Sequence, residues 1–169
     1  MKSHKKILFV CMGNICRSPS AEGIFRQLAL KHPELQSLEI DSCGTIGFHE
    51  GEPADPRSIS AAEKRGYDLT NIRSRKIVHH DLDYYDYILA MDNENISNLS
   101  QLTKQYIKNS KQNELVTNKI CLFLNYSSLA TKYVPDPYYG GANGFNDVID
   151  LIEDASRGLI SHLINNLSK

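Results

Sequence analysis

Ile7-Leu8-Phe9-Val10 is a run of four apolar residues with no polar break, preceded by lysines and followed closely by Gly13. A strand without a polar face must be covered on both sides, which is the situation of a central strand in a parallel sheet. Three further short segments are strand candidates: Leu38 to Ser42, Tyr87 to Met91 and Ile120 to Phe123. Amphipathic stretches at helical spacing lie between them. Ser18-Pro19 reads as a helix start, with serine as cap and proline in the first turn. Ala21, Ile24, Phe25, Leu28 and Ala29 carry that helix to about Lys31, where His32-Pro33 ends it. Asp55-Pro56 opens a second helix that closes near Gly66, and a polar helix with Ile96, Leu99 and Leu102 follows Asp92. Lys108 to Asn113 reads as a polar loop. Val148, Ile149, Leu151, Ile152, Ala155, Leu159 and Leu163 mark a long final helix. This alternation predicts an α/β fold: a three-layer sandwich with a four-stranded, mainly parallel central sheet flanked by helices, one domain spanning 1–169. In such sheets the site lies beyond the carboxyl ends of the strands.

Charge removes several functions. Nineteen Lys and Arg against 20 Asp and Glu leave a formal net charge of −1, so no electrostatic case exists for a nucleic-acid or membrane partner. The first apolar stretch, Ile7 to Met12, is too short for a signal-peptide core, and no segment approaches the roughly 20 apolar residues of a membrane span. Cys11, Cys16, Cys43 and Cys121 are too few and too scattered for a disulfide scaffold. A cytoplasmic protein with free thiols is expected, with Cys43 and Cys121 in the core.

The first strand empties into Cys11-Met12-Gly13-Asn14-Ile15-Cys16-Arg17-Ser18. A loop curling between a strand and a helix can aim successive backbone N–H groups at one point and so hold an anion, helped by the helix dipole. Arg17 adds a planar fork matched to two phosphate oxygens. Gly13 and Asn14 are residue types that tolerate the left-handed backbone such a curl needs. The field that binds phosphate also favours thiolate at Cys11, and the Ser18 hydroxyl can donate to the sulfur. Cys11 would then face a bound phosphorus atom as a nucleophile. Read alone, a cysteine ending a buried strand is equally an inert apolar filler. Cys11 and Cys16 could also bind metal, although no second ligand pair appears elsewhere. Near the other end lies Asp136-Pro137-Tyr138-Tyr139-Gly140-Gly141. By itself it is a turn rich in turn formers. Beside the cysteine loop, its carboxylate can protonate a leaving group and its aromatics can pack against a ring.

Paired at this separation, Cys11 to Ser18 and Asp136 to Gly141 resemble the low-molecular-weight protein tyrosine phosphatase family over essentially the whole chain. The resemblance implies hydrolysis of phosphotyrosine in proteins, or of small aryl phosphates, through a cysteinyl-phosphate. Cys11 would be the nucleophile, Arg17 the phosphate clamp and Asp136 the general acid. Met12, Gly13, Asn14, Ile15, Cys16 and Ser18 would complete the phosphate loop, with Asn14 bracing it, Ser18 stabilising the thiolate and Ser42 supporting it from the next strand. Phe48 matches an aromatic rim position. Tyr138 and Tyr139 match a tyrosine pair that borders the cleft and is phosphorylated in some members. Cys16 matches a thiol that can trap oxidised Cys11 as a disulfide. Arg75 and Asp92 match buried polar partners. Ile72 departs from the pattern, standing where many members carry a histidine ahead of Arg73-Ser74-Arg75, so altered loop bracing is expected there. His49 is expected at the surface. No metal or other cofactor is expected, because Arg17 and backbone dipoles supply the positive charge, and the protein is expected to be a monomer or a weak dimer. Two rivals fit less well. A thiol-relay arsenate reductase needs further cysteines in mid-chain, and none lies between Cys43 and Cys121. A catalytically silent phosphoresidue-binding module would keep the cradle and lose Asp136.

Overall fold

The computed structural model describes residues 5–141 and 143–167, so residues 1–4, 142 and 168–169 of the expected domain lie outside the described residues. The strands are β1 (Lys6–Cys11), β2 (Glu39–Gly44), β3 (Tyr87–Ala90) and β4 (Ile120–Leu122). They form one sheet in the order β2-β1-β3-β4, and every adjacent pair is parallel. The helices are α1 (Arg17–Ala29), α2 (Pro56–Glu63), α3 (His79–Tyr84), α4 (Asn93–Tyr106), α5 (Ser110–Thr117) and α6 (Gly144–Leu167), with short 3-10 turns at Pro33–Leu35 and Phe123–Tyr126. None of the helices in the described residues is long and apolar enough to cross a membrane.

The strand period of two divides β1 between two cores. Ile7, Phe9 and Cys11 face a layer with Ile24 and Phe25 of α1 and Ile149, Ile152 and Leu159 of α6. Leu8 and Val10 face the opposite layer with Leu82 of α3, Leu99 of α4 and Val116 of α5. This is why the run has no polar break: both of its faces are sealed. Phe9 anchors the first layer through edge-on contacts with Phe25 (centroids 5.6 Å apart) and Phe123 (4.9 Å). The register pairs Cys11 with Gly44 and Val10 with Ala90, so β1, β2 and β3 end level with one another. The site is built on that edge.

Several local expectations change. The proline start at Asp55-Pro56 forms as expected, with the Asp55 carboxylate accepting from the Arg57 N–H. Ser18, by contrast, is not a cap: α1 begins at Arg17, its capping position is Cys16, and no side chain caps it. The first-turn N–H groups are thereby left for another acceptor. The segment expected as a polar loop at Lys108 to Asn113 passes into α5, capped by the Asn109 side chain. Only Val116 of α5 is buried, too little apolar patterning to mark a helix in advance. Phe123 opens a 3-10 turn instead of extending β4.

Helix α6 crosses that turn at Gly158, where an added Cβ would sit 1.7 Å from the Tyr126 carbonyl oxygen. Gly158→Ala therefore has to push two backbones apart, a cost that exceeds the roughly 1 kcal/mol alanine gains in a helix. The expected result in urea denaturation is a net loss of about 3 kcal/mol. An unchanged midpoint would show that the contact is not tight.

Candidate active site

The loop from Cys11 to Arg17 is held from outside by its carbonyl oxygens. Cys11 O accepts from the Thr45 N–H (2.9 Å), Met12 O from the Ile46 N–H (3.1 Å) and Ile15 O from the Asp55 N–H (2.7 Å). Gly13 O accepts from the Ser74 hydroxyl (3.0 Å), and Cys16 O from the Ser20 hydroxyl (2.7 Å). A peptide unit is planar and trans, so a carbonyl turned outward turns the next N–H inward. The N–H groups of Met12, Gly13, Asn14, Cys16 and Arg17 are thus aimed into the loop. Asn14 N–H points at Cys11 Sγ, 3.3 Å away, and among the described residues the Met12, Gly13 and Cys16 amides have no acceptor. A ring of inward amides at an uncapped helix end is a receptor for a tetrahedral anion.

The curl turns on Asn14, the one non-glycine residue with positive φ (56°) among the described residues. Gly13, expected to share that conformation, does not. Asn14 is held by its side chain: Nδ2 donates to Ser18 Oγ (2.8 Å) and Ser42 Oγ (3.0 Å), while Oδ1 accepts from the Arg75 N–H (3.0 Å). Ser18 Oγ in turn lies 3.0 Å from Cys11 Sγ. Ile72 packs its side chain near Gly23 of α1 and makes no polar contact with this cluster.

Arg17 is 3% exposed. Its Nη1 donates to Asp92 Oδ2 (2.5 Å) and the Val134 carbonyl (3.2 Å), and its Nη2 lies 3.7 Å from Asp136 Oδ2. Burial pulls the guanidinium pKa down, and the Cys11 sulfur together with Asp92 and Asp136 more than offsets this, so the net shift is upward. Asp92 does double duty, since its other oxygen caps α4 through the Asn95 N–H. Asp136 reaches the site because the Val134 N–H bonds the Met91 carbonyl at the end of β3 (2.8 Å). Its Oδ1 accepts from the Tyr138 N–H (3.1 Å), which leaves Oδ2 facing the cleft. The two cysteines of the loop differ. Burial, reinforced by Asp55, pushes the Cys16 thiol up to about 12, so Cys16 stays protonated at neutral pH.

Above the loop opens a cleft of about 250 Å³, floored by Cys11, Arg17 and Asp136 and walled by Ile15, Ile46, Phe48, His49, Tyr138 and Tyr139. Phe48 and Tyr139 stand 81% and 85% exposed at its rim. Tyr138 meets Tyr139 edge-on (4.8 Å) and lies over the Arg57 guanidinium. Cys11, Arg17, Asp136, the loop residues, Ser42, Phe48 and both tyrosines therefore converge on one place. Arg75 and Asp92 do not form a common buried set: both are part-exposed and belong to separate networks. Arg75 pairs with Asp41 and Asp81 and touches the site through its backbone N–H. His49, expected at the surface, lines the cleft, with Nδ1 against Glu52 (2.7 Å). Cys43 is buried as expected, whereas Cys121 is only partly covered. Ser74 and Ile46 escaped the sequence reading, because nothing local shows that they face the loop.

A family model described as "Low molecular weight phosphotyrosine protein phosphatase" matches residues 6–169. A fission-yeast protein of that description, from Schizosaccharomyces pombe, is 37% identical over 165 residues, covering 96% of this chain and 99% of its own. Among solved structures, a protein tyrosine phosphatase from Entamoeba histolytica superposes with a TM-score of 0.84 at 40% identity, covering 96% of this chain and 98% of its own. A drosophila arginine phosphatase superposes at 0.83 with 32% identity, over 94% and 97%. The match spans the loop, the sheet and the Asp136 segment together, and on that ground the chain belongs to the low molecular weight phosphotyrosine protein phosphatase family.

Proposed function

We propose that this phosphatase hydrolyses phosphotyrosine in proteins, and small aryl phosphates, through a covalent intermediate on Cys11. The observation that carries this reading is the convergence of Cys11 Sγ, the inward amides, Arg17 and Asp136 on the floor of one aromatic-walled cleft. The phosphate sits in the amide ring with two of its oxygens on the Arg17 fork. Cys11 thiolate attacks phosphorus; the S–P bond forms as the P–O bond to the phenol breaks, and Asp136 gives its proton to the departing oxygen. Asp136, now a carboxylate, takes a proton from water as the water oxygen attacks phosphorus. The S–P bond breaks, inorganic phosphate leaves, and the thiolate and the protonated Asp136 are restored. Arg17 and the amides stabilise the equatorial oxygens in both steps, so the positive charge comes from the chain itself. The Ser18 hydroxyl and the Asn14 N–H face the sulfur, 3.0 and 3.3 Å away, as the donors available to it during attack.

The walls favour an aromatic ester. Ile15, Ile46 and Phe48 offer apolar and aromatic surface suited to the ring of an aryl ester. Phosphotyrosine peptide is accordingly expected to be the better substrate by a wide margin when compared side by side with a phosphoarginine peptide. The proposed setting is the cytoplasm, whose reducing poise keeps a thiolate on the floor of an open cleft from oxidation.

Two substitutions test the roles. Cys11→Ser is expected to abolish turnover of para-nitrophenyl phosphate while retaining phosphate binding; measurable hydrolysis by that variant would remove Cys11 as the nucleophile. Asp136→Ala is expected to slow phenyl phosphate, with its poor leaving group, by about 10²-fold or more, and activated aryl esters far less. Equal losses across leaving groups would remove Asp136 as the acid.

A further inference from the structure

Glu22 lies in the middle of α1 at 7% exposure, an expensive place for a carboxylate. Both of its oxygens are used. Oε1 accepts from Ser42 Oγ (2.7 Å) and Oε2 from the Arg26 guanidinium (2.8 Å). No step of the proposed chemistry touches it.

The hydrogens diverge from Asn14, whose Nδ2 gives one towards the carboxylate through Ser42 and the other towards the sulfur through Ser18. An ionised carboxylate only accepts, so the Ser42 proton points at Glu22 and leaves the serine lone pairs for Asn14 Nδ2. The Arg75 N–H on Oδ1 prevents the Asn14 amide from flipping, and its second Nδ2 hydrogen goes to Ser18. Ser18 Oγ already accepts, so its one proton is left for Cys11 Sγ at 3.0 Å or the Cys43 carbonyl at 3.3 Å. A charged thiolate is the stronger acceptor of the two. We infer that Glu22 is a positioning residue for Cys11: by taking the Ser42 proton it keeps Ser42 an acceptor for Asn14 Nδ2 and so, together with the Arg75 N–H on Oδ1, holds the Asn14 amide in the orientation that turns Ser18 towards the thiolate. This rests on the reading of Cys11 as the nucleophile.

The charged groups around Glu22 are Arg26 on its own helix, Asp41 on β2 and Asp68 across the adjoining groove. Burial raises the Glu22 pKa, against the pull of Ser42 and Arg26. A carboxyl held above its unfolded value adds stability below that value and loses it as pH rises through the folded one. Burial therefore works against a charge on Glu22 while Ser42 and Arg26 support it.

The experiment compares Glu22→Met, Glu22→Gln, Ser42→Ala and the Glu22→Met/Ser42→Ala double variant with the unmodified protein. It reads kcat on para-nitrophenyl phosphate, the rate of Cys11 alkylation by iodoacetate at pH 6, and the urea midpoint. Loss of one oriented hydrogen bond corresponds to about fivefold, and this is the expected fall in both rates for Glu22→Met. Glu22→Gln, which keeps an acceptor for Ser42, is expected to return both rates to within about twofold. The double variant should be no slower than Ser42→Ala alone, because the two residues act in series. Rates for Glu22→Met that match the unmodified protein overturn the inference, as do losses that multiply in the double variant. If Glu22→Met does not fold, Ser42→Ala decides alone: full alkylation and turnover in that variant also overturn it. If iodoacetate labels a different residue, or Cys11→Ser keeps turnover, the nucleophile reading itself has failed and takes this inference with it.

Discussion

The site depends on peptide planarity. Five carbonyls of one loop, from Cys11, Met12, Gly13, Ile15 and Cys16, are held from outside the loop or from the first turn of α1. The resulting receptor is itself made of backbone, because each outward carbonyl dictates an inward amide. What the rest of the fold supplies is the outer set of donors. The level ends of β1 and β2 bring Thr45 and Ile46, the start of α2 brings Asp55, and the strand-like segment at Ser74 closes the ring. A preorganised array of this kind does not reorganise when charge develops on a bound group, which is where electrostatic catalysis gains most.

Placing a charge at the centre of such an array requires compensation. The Arg17 guanidinium is withdrawn from water, and a buried charge left without a partner is costly. Asp92 meets the need and also caps α4, so Arg17 and a helix on the far side of the sheet share one carboxylate. The same logic sorts the thiols. Cys16 and Cys43 sit where burial raises the thiol pKa, while Cys11 lies against a hydroxyl and a backbone amide.

Much of this was legible in the sequence, for identifiable reasons. Unbroken apolar runs mark strands sealed on both faces, and Asp55-Pro56 states a helix start in two residues. The cysteine loop stood out because its residue types all serve one anion. What escaped depends on partners distant in the chain. Ser18 before proline has the local signature of a cap, and only β2 reveals that it lies buried beneath a sulfur. His49 looks like a loop residue until Gly13 is seen beside it, with 3.3 Å between an added Cβ and the imidazole Cδ2. Arg75 and Asp92 were grouped together and proved to serve separate networks, since charge pairing across the fold leaves no periodic trace. Glu22 is hidden most completely: a carboxylate between apolar helix positions reads as solvent-facing, and its partner Ser42 is 20 residues away.

The account turns on a bond between Cys11 sulfur and phosphorus. Rapid acid quenching of the enzyme during turnover of ³²P-labelled phosphotyrosine peptide, followed by proteolysis and mapping, tests that bond directly. Label recovered on the peptide that contains Cys11, stable in acid and released by iodine as a thiophosphate is, is the expected result. No protein-bound label at any quench time, or label on another residue, would contradict it.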